Sequence, residues 1–184
     1  MATLIPAIST CVSRMTSGER RLAERLEQKL DDGHSPVTPV DCGRDEQAPI
    51  IIKLPSLREE AFAIPDDLSS FHQEGHAWGD MAILCADWKT IDLCADALHL
   101  RKRPFNVRKP SGDYKPAADT IQIMTMKVSK GLEFPVVALP GVGHMPADGE
   151  DEQEAARVFY VAATRATQRL VIGVGGDGGF SQRF

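Results

Sequence analysis

Short apolar runs alternate with amphipathic stretches along most of this chain. The runs IIIKL at 50–54, MAILCA at 81–86, TIQIMTM at 120–126, PVVALP at 135–140 and RLVIGV at 169–174 are rich in β-branched and long aliphatic residues. Apolar character on both sides of a pleat predicts strands covered on both faces, the pattern of a parallel sheet. PFNV at 104–107 predicts a further short extended piece. Between these runs the period becomes helical. Ser56 followed by Glu59 forms a capping-box pattern, which predicts a helix from Leu57 that Pro65 should stop. Residues 88–100 and 152–166 predict two more helices. Strands and helices in alternation predict an α/β fold, a mainly parallel sheet with helices on both faces.

The flanks carry a different pattern. Leu22, Leu26 and Leu30 recur every four residues within 17–32, with Ser17 able to cap and Gly33 able to stop a helix there. Residues 33–49 are rich in Pro, Gly and Asp and predict a linker, and Ser111–Pro116 predicts a turn-rich loop. The tail GGDGGFSQRF predicts a frayed end. The chain thus divides into a helical segment and linker at 1–49, a folded unit at 50–174 and a flexible tail at 175–184. No internal repeat is visible.

Composition narrows the function classes. A chain of 184 residues fits one domain, and 42% hydrophobic with 26% charged residues excludes collagen-like, low-complexity and wholly disordered classes. No apolar run approaches the ~18–20 residues of a membrane span, and the opening MATLIPAIST lacks the basic flank and apolar core of a signal peptide. A cytoplasmic protein without membrane contact is expected. With 21 Lys+Arg against 26 Asp+Glu the net charge is −5, so any nucleic-acid contact must be a local patch. Cys11, Cys42, Cys85 and Cys94 contain no C-x-x-C pair and predict buried, reduced thiols. His72 and His76 have metal-ligand spacing, but Gly75 intervenes and no third ligand is evident. A solvated loop is expected there and no metal site.

Two segments could carry chemistry. In the 152–166 stretch, Ala155, Val158, Phe159, Ala162, Ala163 and Ala166 make a small-residue stripe that can press on a sheet. Arg157, Thr164 and Arg165 lie off it, so Arg165 is presented near a helix C-terminus instead of being consumed in packing. The plainer alternative is a solvated arginine favoured there by the helix dipole. The second segment, TMKVSKGLEF from Thr125 to Phe134, offers hydroxyls, ammonium groups and backbone N–H groups suited to phosphate oxygens. Gly131 would admit close approach of a ligand, and Glu133 could accept hydrogen bonds from a ribose. The alternative is an ordinary polar connection.

TMKVSKGLEFPVVALPGV, followed about twenty residues later by EAARVFYVAATRATQRLVI, resembles the UvrD/Rep type of superfamily-1 DNA helicases. The first stretch resembles motif V, typically T-x-H-x-x-K-G-L-E-F. The second resembles motif VI, with Y-V-A-x-T-R-A at its centre, and MAILCADWKTIDLCADAL resembles motif IV. The resemblance covers about Ile50 to Val174. It implies a RecA-like fold, the second of two such domains that hold ATP with Mg²⁺ in the cleft between them. No G-x-x-x-x-G-K-[ST] loop occurs in the 184 residues, and the family's large inserted subdomain is missing. The expectation is a C-terminal piece of a longer helicase, or a shortened relative. Its partners would be single-stranded DNA and an N-terminal RecA-like ATPase domain, which would hold most of the nucleotide.

By the same resemblance, Arg165 is the motif VI arginine that reaches the γ-phosphate. Gly131 and Glu133 lie near the ribose and phosphates, and Thr125, Lys127 and Ser129 lie along the single strand's backbone. Lys130 matches without a defined role. Lys127 replaces the usual motif V histidine, and Ala86 stands where motif IV usually has an arginine, with Lys89 the nearest cation. The implied activity is an ATP-driven DNA helicase motor, with no ATP hydrolysis by the isolated chain. The alternative is a non-catalytic nucleic-acid- or protein-binding module derived from a helicase.

Overall fold

The computed structural model describes residues 48–108 and 119–184. The expected helix at 17–32, most of the linker after it, the loop at Ser111–Pro116, Cys11 and Cys42 lie outside the described residues. In chain order come β1 (Ile50–Ile52), α1 (Leu57–Gln73), β2 (Met81–Cys85), α2 (Trp88–Leu100), β3 (Phe105–Val107), β4 (Ile121–Thr125), β5 (Phe134–Leu139), α3 (Glu152–Ala163) and β6 (Ala166–Gly173). The strands form one sheet in the order β1-β6-β5-β2-β4-β3. Every neighbouring pair is parallel.

The period of two along each strand divides the core into two layers. Met81, Ile83, Cys85, Ile121, Ile123, Val136 and Ala138 face α1 and α2, where Ala61, Ile64, Leu68, Ile91, Cys94 and Leu98 meet them. Ala82, Leu84, Met124, Val137, Leu139, Leu170 and Ile172 face the other way, onto Ala155, Phe159, Ala162 and Ala163 of α3. The central strands β2, β4 and β5 are therefore apolar on both faces because both faces are covered. Cys85 and Cys94 are buried free thiols, and burial pushes the Cys85 thiol up, with Cys94 beside it adding to the shift. Among the described residues no helix is long and apolar enough to cross a membrane.

Three boundaries differ from expectation. Helix α1 begins at Leu57, with the Ser56 hydroxyl accepting from the Glu59 N–H, but it runs through Pro65 to Gln73. A proline inside a helix costs roughly 3 kcal/mol. Burying Ile64, Leu68 and Phe71 offsets this at about 1.5–3 kcal/mol each, so packing wins. Helix α3 stops at Ala163 instead of 166. Thr164 caps it, its hydroxyl donating to the Val161 carbonyl, and Ala166 is already paired with Phe134 in the sheet. The tail does not fray. Phe180 is buried, its N–H donates to the Met145 carbonyl, and Phe180 and Phe184 both contact the Phe159 ring edge-on. His72 belongs to the last turn of α1 and not to a loop. Its ring stacks on Trp78 and is hydrogen-bonded to the His76 carbonyl.

A buried carboxylate ties α1 to the carboxyl ends of two strands. Glu60, fully buried, accepts from the backbone N–H of Gly141 beyond β5 and of Gly175 beyond β6. A side chain on Gly175 would collide with the Leu54 carbonyl, so only glycine permits this approach. Burial pushes the Glu60 carboxyl up from its ordinary value, and the two amides and nearby His144 offset part of that shift. Glu60→Ala leaves two buried amides without an acceptor and should lower stability by about 2–5 kcal/mol in denaturant unfolding. Glu60→Gln should recover part of the loss through its one remaining carbonyl oxygen. A Glu60→Ala protein within about 0.5 kcal/mol of the parent would remove this tie from the account.

Candidate functional site

The parallel register sorts the candidate residues onto opposite edges of the sheet. Cys85 pairs with Thr125, so the ends of β2 and β4 lie side by side on the carboxyl edge. Phe134 pairs with Ala166, so the starts of β5 and β6 lie side by side on the amino edge. The segment TMKVSKGLEF joins the two. It leaves β4 at Thr125 and reaches β5 at Phe134.

That segment is a compact turn. The N–H of Val128 donates to Thr125, that of Ser129 to Met126 and that of Leu132 to Ser129. Met126 belongs to the α3-side core, and Val128 and Leu132 pack against it. Lys127, Lys130, Gly131 and Glu133 are left exposed, and Thr125 is half-buried. Gly131 has φ +82°, a left-handed conformation that favours glycine, and the space beside it is open.

Ser129 does not lie where a phosphate could meet it. It is fully buried, and its hydroxyl donates to the Met126 carbonyl at 2.6 Å. The expectation of a backbone contact is thus corrected for this residue, which instead closes the turn. Its sequence pattern could not show this, because a serine between two lysines reads as polar surface.

Arg165 follows the α3 cap instead of lying within the helix. Its Nε donates to the Val161 carbonyl at 2.9 Å, Nη2 to the Thr164 hydroxyl at 3.0 Å and Nη1 to the Leu132 carbonyl at 3.3 Å. The backbone adds a fourth link, Phe134 N–H to the Arg165 carbonyl at 2.9 Å. The guanidinium is half-buried and held, not solvated as the helix-dipole alternative assumed. One part of that alternative survives, since the side chain does satisfy an end carbonyl of α3. The structure brings Arg165 beside Leu132, between Gly131 and Glu133 in sequence, and leaves Thr125 and Lys127 at the other edge.

On the carboxyl edge, Ala86 is exposed and leads directly into α2, whose N-cap is Asp87 accepting from the Thr90 N–H at 2.7 Å. Lys89 is exposed on the first turn, and Trp88 beside it is 44% exposed. Glu60 and Trp88 are the two residues that sequence reasoning passed over. Glu60 had a signal: it falls on the stripe with Ala61, Ile64 and Leu68, where a charge needs a partner. Among the described residues no group of three His, Cys, Asp or Glu could hold a metal ion.

Comparison with known proteins shows what this chain is similar to. The UvrD-like helicase C-terminal domain family matches residues 110–175. The ATP-dependent DNA helicase Rep of Salmonella typhimurium is 38% identical over 65 residues, which is 32% of this chain and 10% of that protein. DNA helicase II of Escherichia coli is 39% identical over 61 residues, 29% of this chain and 8% of that protein. The ATP-dependent DNA helicase UvrD1 of Mycobacterium tuberculosis is 25% identical over 193 aligned positions, covering 91% of this chain and 23% of that protein. The chain therefore spans from about a tenth to a quarter of the curated relatives it matches. Among solved structures, the C-terminal domain of a possible DNA helicase from Lactobacillus plantarum has a TM-score of 0.59 at 16% identity, covering 72% of this chain and 77% of that one. This last likeness concerns the fold alone. The aligned segment contains both the turn at 126–133 and the arginine that clamps it, and over residues 110–175 the chain matches the UvrD-like helicase C-terminal domain family and is similar there to the Rep helicase.

Proposed function

We propose that this chain acts as the second RecA-like motor domain of an ATP-dependent DNA helicase or translocase. The observation that carries the reading is the clamp of Arg165 on the Leu132 carbonyl. It holds a guanidinium beside an exposed glycine and an exposed carboxylate at the amino edge, while lysine and threonine occupy the carboxyl edge. One edge then serves the nucleotide and the other the single strand. The first motor domain would supply the triphosphate-cradling loop, the Mg²⁺ ligands and the carboxylate that activates water.

The amino-edge residues fit a nucleotide. Gly131 leaves room for a ligand to approach the backbone, Glu133 can accept from ribose hydroxyls, and Arg165 holds a positive charge in a plane fixed by its protein bonds. When bound, ATP supplies the γ-phosphoryl group whose transfer to water drives movement along the strand. Arg165 would stabilise charge developing on that group, and fixing its plane beforehand avoids reorganisation at the moment of reaction. On the carboxyl edge Lys127 would neutralise a backbone phosphate and Thr125 would donate a hydroxyl.

A specific observation favours a second reading, a non-catalytic module derived from a helicase. Ala86, at the end of β2, brings no guanidinium where the resemblance expects one. A single assay separates the two. In an assembly with the first domain, Arg165→Ala should lower kcat about 10³-fold or more, with a smaller effect on nucleotide affinity. Steady-state ATPase with and without single-stranded DNA measures this. A variant within about threefold of the parent would leave Arg165 as a cap of α3 and clamp of the turn. The chain alone should show only background hydrolysis.

Lys127→Ala should weaken single-strand binding about equally for all sequences and flatten the slope of log K against log salt by ~0.7, one counterion fewer released. Ser129→Ala should leave that slope unchanged and lower stability by about 1 kcal/mol, through loss of its bond to Met126. Fluorescence anisotropy across a salt series and denaturant unfolding check both. An unchanged slope for Lys127→Ala would remove it from the DNA edge.

A further inference from the structure

We propose that Trp88 is a base-stacking platform for single-stranded DNA on the carboxyl edge of the sheet. The inference rests on the reading of that edge as a DNA track and names a contact which that reading lacked. The motif V segment offers only Phe134 as an aromatic, and Phe134 is buried. Any base stacking on this edge would come from another element.

The two tryptophans of the chain make a contrast. Trp78 is 9% exposed, stacked on His72 with ring centroids 4.0 Å apart and covered by the Arg103 guanidinium. Trp88 is 44% exposed, and no ring or cation contact involves it among the described residues. Helix α2 does not need it for packing, since Thr90, Ile91, Cys94, Ala97 and Leu98 supply its buried face. A large apolar ring thus keeps 44% of its surface exposed at the first position of a helix.

Its position is the second observation. Beyond β2 the chain passes into α2, on one face of the sheet. On both sides of β2 the neighbouring strands, β4 and β5, continue onto the other face, through Met126 and Val142. The carboxyl end of β2 is therefore a point where connections diverge, and open α/β sheets bind ligands in the crevice at such points. Trp88 opens the helix that follows this strand end, three residues beyond Cys85. The end of β4 lies beside it through the Cys85–Thr125 pairing, and the Met126 N–H donates to the Cys85 carbonyl, which brings Lys127 to the same edge. Lys89 adds a second exposed ammonium. Asp87 is engaged in capping α2 through one of its oxygens, and Asp92, one turn further along the helix, is an exposed carboxylate that a strand would have to pass. An exposed indole with Lys89 next in sequence and Lys127 on the same sheet edge suits a single strand, whose bases would stack on the ring while its phosphates meet the ammonium groups.

The test is anisotropy of labelled oligothymidylate and oligodeoxyadenylate, each titrated with the full chain across a salt series that starts at low ionic strength. Trp88→Ala, Trp88→Phe and Lys127→Ala are compared with the parent, and intrinsic tryptophan fluorescence is recorded alongside. Trp88→Ala should weaken binding roughly tenfold, for purine and pyrimidine strands alike, with the salt slope unchanged. Trp88→Phe should recover most of the affinity. Single-strand binding should quench the parent's tryptophan emission, and that quench should vanish in Trp88→Ala, whose thermal unfolding should match the parent's. Parental affinity in Trp88→Ala, with Lys127→Ala weakened, would overturn the stacking role, leave the track standing and point to a protein contact at Trp88. Absence of any salt-dependent single-strand binding by the parent would overturn both.

Discussion

Because β4 and β5 run in the same direction, the chain between Thr125 and Phe134 must return from the carboxyl edge of the sheet to the amino edge within residues 126–133. Parallel crossovers usually take a dozen residues or more. This one has little slack, and its conformation is correspondingly specified. Three backbone hydrogen bonds coil it, the buried Ser129 hydroxyl closes it, and Met126, Val128 and Leu132 pin it to the core. Gly131 supplies the left-handed residue that the turn requires near its end. The exposed side chains are those left over once these demands are met.

Arg165 is the second half of the same device. Its side chain joins the end of α3 to the end of the turn, and its backbone carbonyl receives the Phe134 N–H. Residues far apart in sequence thereby share one rigid corner at the amino edge. At the opposite edge Glu60 does comparable work, joining α1 to the chain beyond β5 and β6. Both edges are thus braced by charged side chains bonded to backbone groups, and ligands would meet surfaces already held in place.

What the sequence reveals, and what it hides, follows from the range of the interactions involved. Strands such as Met81–Cys85 are legible because burial on both faces leaves a local apolar run, and α2 because its apolar residues recur at helical spacing. Pro65 misleads because the force that carries α1 past it comes from Ile64, Leu68 and Phe71 meeting distant strands. The tail misleads for the same reason: glycines dominate it, yet Phe180 and Phe184 find Phe159. At the site, the TMKVSKGLEF and YVAATRA segments are legible by resemblance, but their division between two edges is a property of the parallel register. Ser129, which reads as polar surface, is buried, and Trp88, which sequence reasoning passed over, is 44% exposed. Only tertiary packing decides that.

The claim on which the account turns is that two edges of one sheet serve two ligands. Amide hydrogen exchange, measured on the chain assembled with the first motor domain, tests it most directly. Single-stranded DNA should slow exchange around residues 86–90 and 125–129 and leave the amino edge unaltered. A non-hydrolysable ATP analogue should slow exchange around 131–134 and 164–166. Protection of the amino edge by DNA alone, or of neither region by either ligand, would contradict the account.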